Sequence, residues 1–308
     1  MELSLIIMRK IVVMFLLVLV GYICARLGMI DEHTNKRLST LTLKLVTPML
    51  IFSSFQTEYD VRIVQNLLLS FAAAILAYLI QIPLGILLIR KNGNANYRLE
   101  RLSLIFSNCG FFGIPLIESL YGAEGAIYVT AFVTMFNILL WTVGDSIMSG
   151  RISGKSLLKG VLSPVVAATV LGLSCLLLKI QVPQLIMEPV RSIAAMNTPF
   201  AMIVAGATLA GTNLLACLKN KRTYWMLLCK MLLIPATAAV LLSFVPLDPM
   251  LISIAVIAVS CPVAAACPMF AVLYDQNTSY ASQLFAVTTL CSIVTIPLIF
   301  TLSASLMA

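Results

Sequence analysis

Ser107-Asn108-Cys109-Gly110-Phe111-Phe112-Gly113-Ile114-Pro115 places two glycines, a proline and an amide side chain inside an otherwise apolar run. Pro115 lacks an N–H and clashes with the turn before it, while Gly110 and Gly113 lower the cost of unwinding. A second stretch, Ser260-Cys261-Pro262-Val263-Ala264-Ala265-Ala266-Cys267-Pro268, does the same with two prolines. Backbone interrupted at the middle of an apolar span survives only where protein or a water-filled cavity satisfies it. The two stretches therefore predict two broken helices.

The surrounding composition sets the solvent. Of 308 residues, 61% are hydrophobic and only 10% charged, with a mean hydropathy of +1.04. A soluble domain carries about 25% charged residues. Folded in water, this chain would expose large apolar surfaces, whereas a bilayer accepts apolar side chains on every outward helix face. The net charge of +8 would suggest nucleic acid in a soluble protein. Here the basic residues fall in short clusters between apolar runs, so no nucleic-acid partner is expected.

Spanning the hydrocarbon core takes about 20 apolar residues. Candidate spans lie near 5–25, 38–56, 63–89, 102–120, 124–148, 161–178, 190–212, 223–245, 250–273 and 281–305. Alternate connections hold Arg26, Lys36 and Arg37; Arg90, Lys91, Arg98 and Arg101; Arg151, Lys155 and Lys159; and Lys219, Lys221 and Arg222. The positive-inside rule puts this set in the cytoplasm and both termini outside, as expected of a multi-pass plasma-membrane protein. Arg9 and Lys10 run against that orientation, but four clusters outweigh them.

Laid over each other, the halves repeat. Thr47-Pro48 matches Thr198-Pro199 at an offset of 151 residues, and Ser107, Pro115 and Tyr121 match Ser260, Pro268 and Tyr274 at an offset of 153. Five helices is an odd number, so successive copies enter the membrane from opposite sides: residues 1–150 and 151–308 form an inverted repeat. The predicted fold class is thus an all-α polytopic membrane protein of ten helices with broken fourth and ninth spans.

If those two spans cross near the midplane, their second halves aim free N–H groups and positive dipole ends into one small cavity, which suits a carboxylate. Asn108 is the first candidate to bond such a ligand, followed by Ser107 and Ser260, with Gly110, Pro115, Cys261, Pro262 and Pro268 shaping the backbone. Thr47, Pro48, Asn197 and Thr198 are candidates for the wall. Read as structure alone, the same prolines and glycines are kinks between tightly packed helices. Ionisable residues inside spans default to functional candidates; here they are Lys44, Lys230 and Asp145. Lysine near a span end can snorkel, which explains Lys44 without a function, and Asp145 remains the candidate for ion coupling.

The eight cysteines show no metal-ligand spacing, and no P-loop, nucleophile elbow or HExxH is present. No enzyme, metal site or cofactor is expected.

Three stretches carry a family resemblance. They are Thr47-Pro48 followed by Ile51-Phe52-Ser53-Ser54, NCGFFGIPLIESLYGAEGAIYVTAFVTMFNILLW from Asn108 to Trp141, and CPVAAACPMFAVLYDQNTSYASQ from Cys261 to Gln283. On these residues the chain resembles the auxin efflux carrier family, which includes the plant PIN carriers and bacterial permeases. The resemblance implies a fold like that of bile-acid symporters and sodium/proton antiporters, with scaffold and transport domains each drawn from both repeats. It places Asn108 and Pro115 on the fourth-helix crossover and Pro262 on the ninth. Ala266, Cys267 and Pro268 stand where relatives carry a further polar contact, so that contact is not carried over.

The resulting expectation is a secondary transporter of a small organic anion, auxin-like or a mono- or dicarboxylate, working by alternating access as an electrogenic efflux carrier or uniporter. The alternatives are a sodium- or proton-coupled symporter and a non-transporting membrane sensor. Its partners would be the anion and the lipid bilayer; a homodimer is compatible with the fold.

Overall fold

The computed structural model describes residues 2–91, 93–151 and 154–307. The terminal residues Met1 and Ala308, whose side of the membrane the charge pattern addresses, lie outside these, as does the side chain of Lys155.

Every described regular element is a helix. In the first half they are α1 (Glu2–Arg26), α2 (Glu32–Leu41), α3 (Thr47–Ser54), α4 (Val61–Leu88), α5 (Tyr97–Ile105), α6 (Ile114–Leu139) and α7 (Asp145–Ser149). In the second they are α8 (Gly154–Val161), α9 (Pro164–Leu177), α10 (Gln184–Ala195), α11 (Asn197–Ala210), α12 (Leu214–Lys219), α13 (Lys221–Leu228), α14 (Ile234–Ser243), α15 (Pro249–Ser260), α16 (Ala266–Leu273) and α17 (Thr278–Met307). Among the described residues, five helical stretches are long and apolar enough to cross a membrane: Val61–Leu88, Cys109–Ser149, Gln184–Ala210, Lys221–Ser243 and Thr278–Met307. Pro164–Leu177 and Pro249–Ser260 are shorter apolar helices.

Several of these helices are joined through single widened turns, at Thr42–Val46, Cys109–Gly113, Leu140–Gly144 and Cys229–Leu233. Three of them end just before an X-Pro pair: Thr47-Pro48, Ile114-Pro115 and Ile234-Pro235. A proline ring crowds the carbonyl four residues back and offers no N–H, so the turn upstream relaxes from four-residue to five-residue closure. Gly122 makes a sharper break inside Ile114–Leu139: its φ of 65° and ψ of −152° lie where a side chain is strained. It marks the join between the fourth and fifth spans read from the sequence.

The helices pack in two groups. One holds α1 against α11, and α3 against α9 and α10. The other gathers α4, α6, α14, α15, α16 and α17, and each group draws on both halves of the chain. In α15, every residue from Leu251 to Ser260 is buried, so this short helix is wrapped on all sides. At the periphery, α1 exposes Val12, Val13, Leu16, Leu19, Val20 and Ile23. These apolar faces are at home only against lipid chains.

The α1–α11 crossing is unusually close. A β-carbon on Gly206 would lie 2.0 Å from the Val18 carbonyl oxygen, and one on Gly21 would lie 2.3 Å from that of Ile203. Two glycines facing two backbones let the axes approach as small residues do in membrane helix pairs.

Candidate functional site

The two interrupted stretches meet. Ser107 and Val263 form an antiparallel bridge, with Asn108 N–H donating to the Pro262 carbonyl at 2.8 Å and Ala264 N–H to the Phe106 carbonyl at 3.1 Å. Each interrupted stretch thereby supplies backbone partners to the other: Asn108 and Ala264 N–H are paired with the Pro262 and Phe106 carbonyls. Val263 N–H reaches further, to Thr288 Oγ1 of α17 at 3.0 Å. Helices α5 and α15 end at this bridge, and the helical runs beginning at Cys109 and Ala266 leave it.

Each departing run begins with donors that no backbone carbonyl accepts. Among the described residues, the N–H groups of Phe111, Ala265 and Ala266 have no backbone acceptor, and that of Gly110 meets only the sulfur of Cys109. Gly110, Ala265, Ala266 and Pro268 are only half-buried within a crossing whose other residues are closed off. A β-carbon on Gly110 would meet nothing nearer than Val133 Cγ1 at 3.9 Å, so there is room beside those donors. Free N–H groups at a helix start with the positive dipole end behind them are an anion-binding arrangement.

The side chains divide into those that are committed and those that are free. Ser260 Oγ donates back to the Val256 carbonyl, and Cys261 Sγ to that of Ile257. Ser107 Oγ donates to the Val259 carbonyl at 2.8 Å and accepts from Lys230. The Asn108 side chain is buried and has no partner among the described residues. It is the amide of the crossing that keeps its full bonding capacity for something else.

Thr47 and Asn197 come together from the two halves: Thr47 Oγ1 donates to Asn197 Oδ1 at 2.9 Å, while the buried Asn197 Nδ2 has no partner. The α11 helix that starts at Asn197 packs against the Cys109–Gly113 turn, and Phe15 of α1 meets Phe112 edge-on at 6.2 Å. Pro48 is buried beside Thr47, and Thr198 is half-buried.

The three ionisable candidates separate. Lys44 is exposed. Asp145 is buried and accepts a hydrogen bond from Tyr274 OH at the far end of α16, six residues past Pro268. Lys230 is wholly buried at the crossing itself, donating to the Leu104 carbonyl at 3.1 Å and to Ser107 Oγ at 2.7 Å.

A further charged cluster has no sequence signature. Glu100, only 1% exposed, takes Arg222 at 2.7 Å, Asn94 at 2.7 Å and Tyr280 at 3.2 Å, tying α5 to α13 and α17. Two open clefts of about 250 and 330 Å³ lie elsewhere, between the 56–59 turn and residues 175–191, and no crossing residue lines them.

A family model described as membrane transport protein matches residues 6–153 and 145–300. A relative described as an uncharacterized transporter of Methanothermobacter thermautotrophicus is 24% identical over 287 residues, covering 92% of this chain and 93% of its own.

Proposed function

Because the chain belongs to the membrane transport protein family, the group of auxin-efflux and PIN-like carriers, and is a multi-pass membrane transporter rather than an enzyme, we propose that it carries a small organic anion by alternating access. One observation carries the anion: the N–H groups of Phe111, Ala265 and Ala266, with no backbone acceptor, around an open Gly110, with the free Asn108 amide beside them. A carboxylate takes two N–H bonds per oxygen and gains from both dipole ends, whereas a cation at the same place would be repelled. Asn108 bonds the substrate. Gly110, Pro115, Cys261, Pro262 and Pro268 hold the crossing open, and Thr47, Pro48, Asn197 and Thr198 form the facing wall.

In this reading ten helices form two inverted five-helix halves. The group built on α1, α3, α9, α10 and α11 is the scaffold, and the group holding the crossing moves against it. The basic clusters set the loops after α1, α4, α7 and α12 in the cytoplasm of a cell membrane, with both termini outside.

The deciding experiment is flux in proteoliposomes with a panel of labelled mono- and dicarboxylates at imposed voltages. Saturable, voltage-sensitive flux of at least one carboxylate is expected. Saturable binding with no flux would turn the reading to a sensor, and neither binding nor flux across the panel would sink the organic-anion assignment. Cysteines placed beside Pro115 and Pro268 should change their access to a membrane-impermeant thiol reagent as voltage and substrate change. Labelling from one side under every condition would contradict alternating access.

A further inference from the structure

Lys230 is the chemistry at the crossing that the anion site does not use. Its ammonium is 0% exposed, and among the described residues no carboxylate pairs with it. The titratable groups that act on it are the thiols of Cys267, Cys261 and Cys109. A charge buried without an opposite charge is sustained only by aligned acceptors and dipoles. Lys230 has both. Leu104 lies in the last turn of α5, where carbonyls have no helical partner and the dipole is negative. Ser107, its other acceptor, passes a hydrogen bond on to the Val259 carbonyl at the end of α15.

That position has a defined role in carriers built from discontinuous helices: unwound carbonyls and half-helix C-terminal ends hold the coupling cation, while the N-terminal ends hold the anion. Lys230 Nζ sits among those C-terminal ends, and the free N–H groups start the runs leaving on the other side of the bridge. The position 152 residues earlier, set by the match of Pro83 to Pro235, is Tyr78, so only one half supplies a cation.

We propose that the Lys230 ammonium is a tethered cation that fills the ion position of the crossing, so that the carrier needs no dissociable coupling ion, and that truncating the side chain opens a site for a small primary ammonium ion. The proposal rests on the carrier reading above for its meaning, but not for its test.

Full-length wild type, Lys230→Ala and Lys230→Met, purified in detergent, are melted in choline chloride, tetramethylammonium chloride and propylammonium chloride. Propylammonium is the part that alanine lacks and donates N–H bonds; tetramethylammonium has the charge without donors. Wild type should melt alike in all three. Lys230→Ala should melt lower in choline and tetramethylammonium and regain at least half of the loss in propylammonium. Lys230→Met, which fills the space and leaves Leu104 and Ser107 without their cation, should melt low in all three. Equal responses of Lys230→Ala to propylammonium and choline, or wild-type melting of Lys230→Met, would overturn the proposal. Where the alanine variant yields no folded protein, the methionine variant decides alone: low melting supports the tethered cation and wild-type melting refutes it. A carboxylate panel that fails leaves this result standing, since melting needs no substrate.

Discussion

Thr47 Oγ1 donates to Asn197 Oδ1 at 2.9 Å, so the Thr-Pro break of one half is fastened to the Asn-Thr-Pro break of the other, 150 residues along the chain. Both residues are buried, and Asn197 already carries one unpaired nitrogen. Thr47→Val keeps the shape and leaves Asn197 Oδ1 unpaired as well. An orphaned buried polar group costs about 1–3 kcal/mol. A lower melting temperature in Thr47→Val is expected, with no further loss on adding Asn197→Ala. Additive losses in the double variant would show that the two residues act separately.

Asn108→Ala tests the anion site directly. The Asn108 side chain has no protein partner to lose, so folding and monodispersity should be unchanged. What is lost is the bond to substrate, worth about 1–3 kcal/mol and so up to roughly a hundredfold in affinity. Wild-type transport kinetics in this variant would remove Asn108 from the site.

Gly206 tests the helix pair that frames the crossing. With a β-carbon placed 2.0 Å from the Val18 carbonyl, even Gly206→Ala forces α1 and α11 apart. Overpacking of this kind costs about 1–3 kcal/mol. Gly206→Ala should melt lower than Gly28→Ala. The Gly28 control meets no neighbour, although its φ of 77° adds backbone strain of its own. The reverse order would mean that α1 and α11 separate freely.

Energy coupling is the fourth. Between Ser107 and Pro115, and between Ser260 and Pro268, there is no Asp or Glu, and Asp145 is held by Tyr274 beyond the end of α16. A carrier with no bound co-ion moves net charge, and an interior-negative potential drives a monovalent anion outward by about 2.3 kcal/mol per 100 mV. That sustains a gradient of roughly fortyfold. Initial flux at zero potential should therefore be indifferent to sodium and pH gradients in wild type and in Asp145→Asn. Accumulation driven by either gradient, and lost in Asp145→Asn, would establish symport instead.

The sequence carried the parts of this protein that follow from local chemistry. Apolar runs of span length, basic clusters in alternate connections, and prolines and glycines inside apolar helices each have a direct backbone or solvation cause, and the helices break at Phe106–Asn108 and Cys261–Ala265, within or beside the stretches those residues mark. The matching Thr47-Pro48 and Thr198-Pro199 pairs, 151 residues apart, also singled out Thr47 with Asn197-Thr198. Other features were hidden, since no local rule fixes them. Lys230 reads like Lys44, one lysine in an apolar run, yet one is buried at the crossing and the other is exposed. Ser107 and Ser260 read alike as ligands, but the first joins Lys230 to α15 while the second bonds its own helix. Glu100 and Arg222 stood in separate basic loops and meet only because α5, α13 and α17 converge. Solvation and backbone sterics act over a few residues and are written in order along the chain. Which buried charge finds which carbonyl depends on helix rotation and approach over more than a hundred residues, and that is settled only when the helices pack.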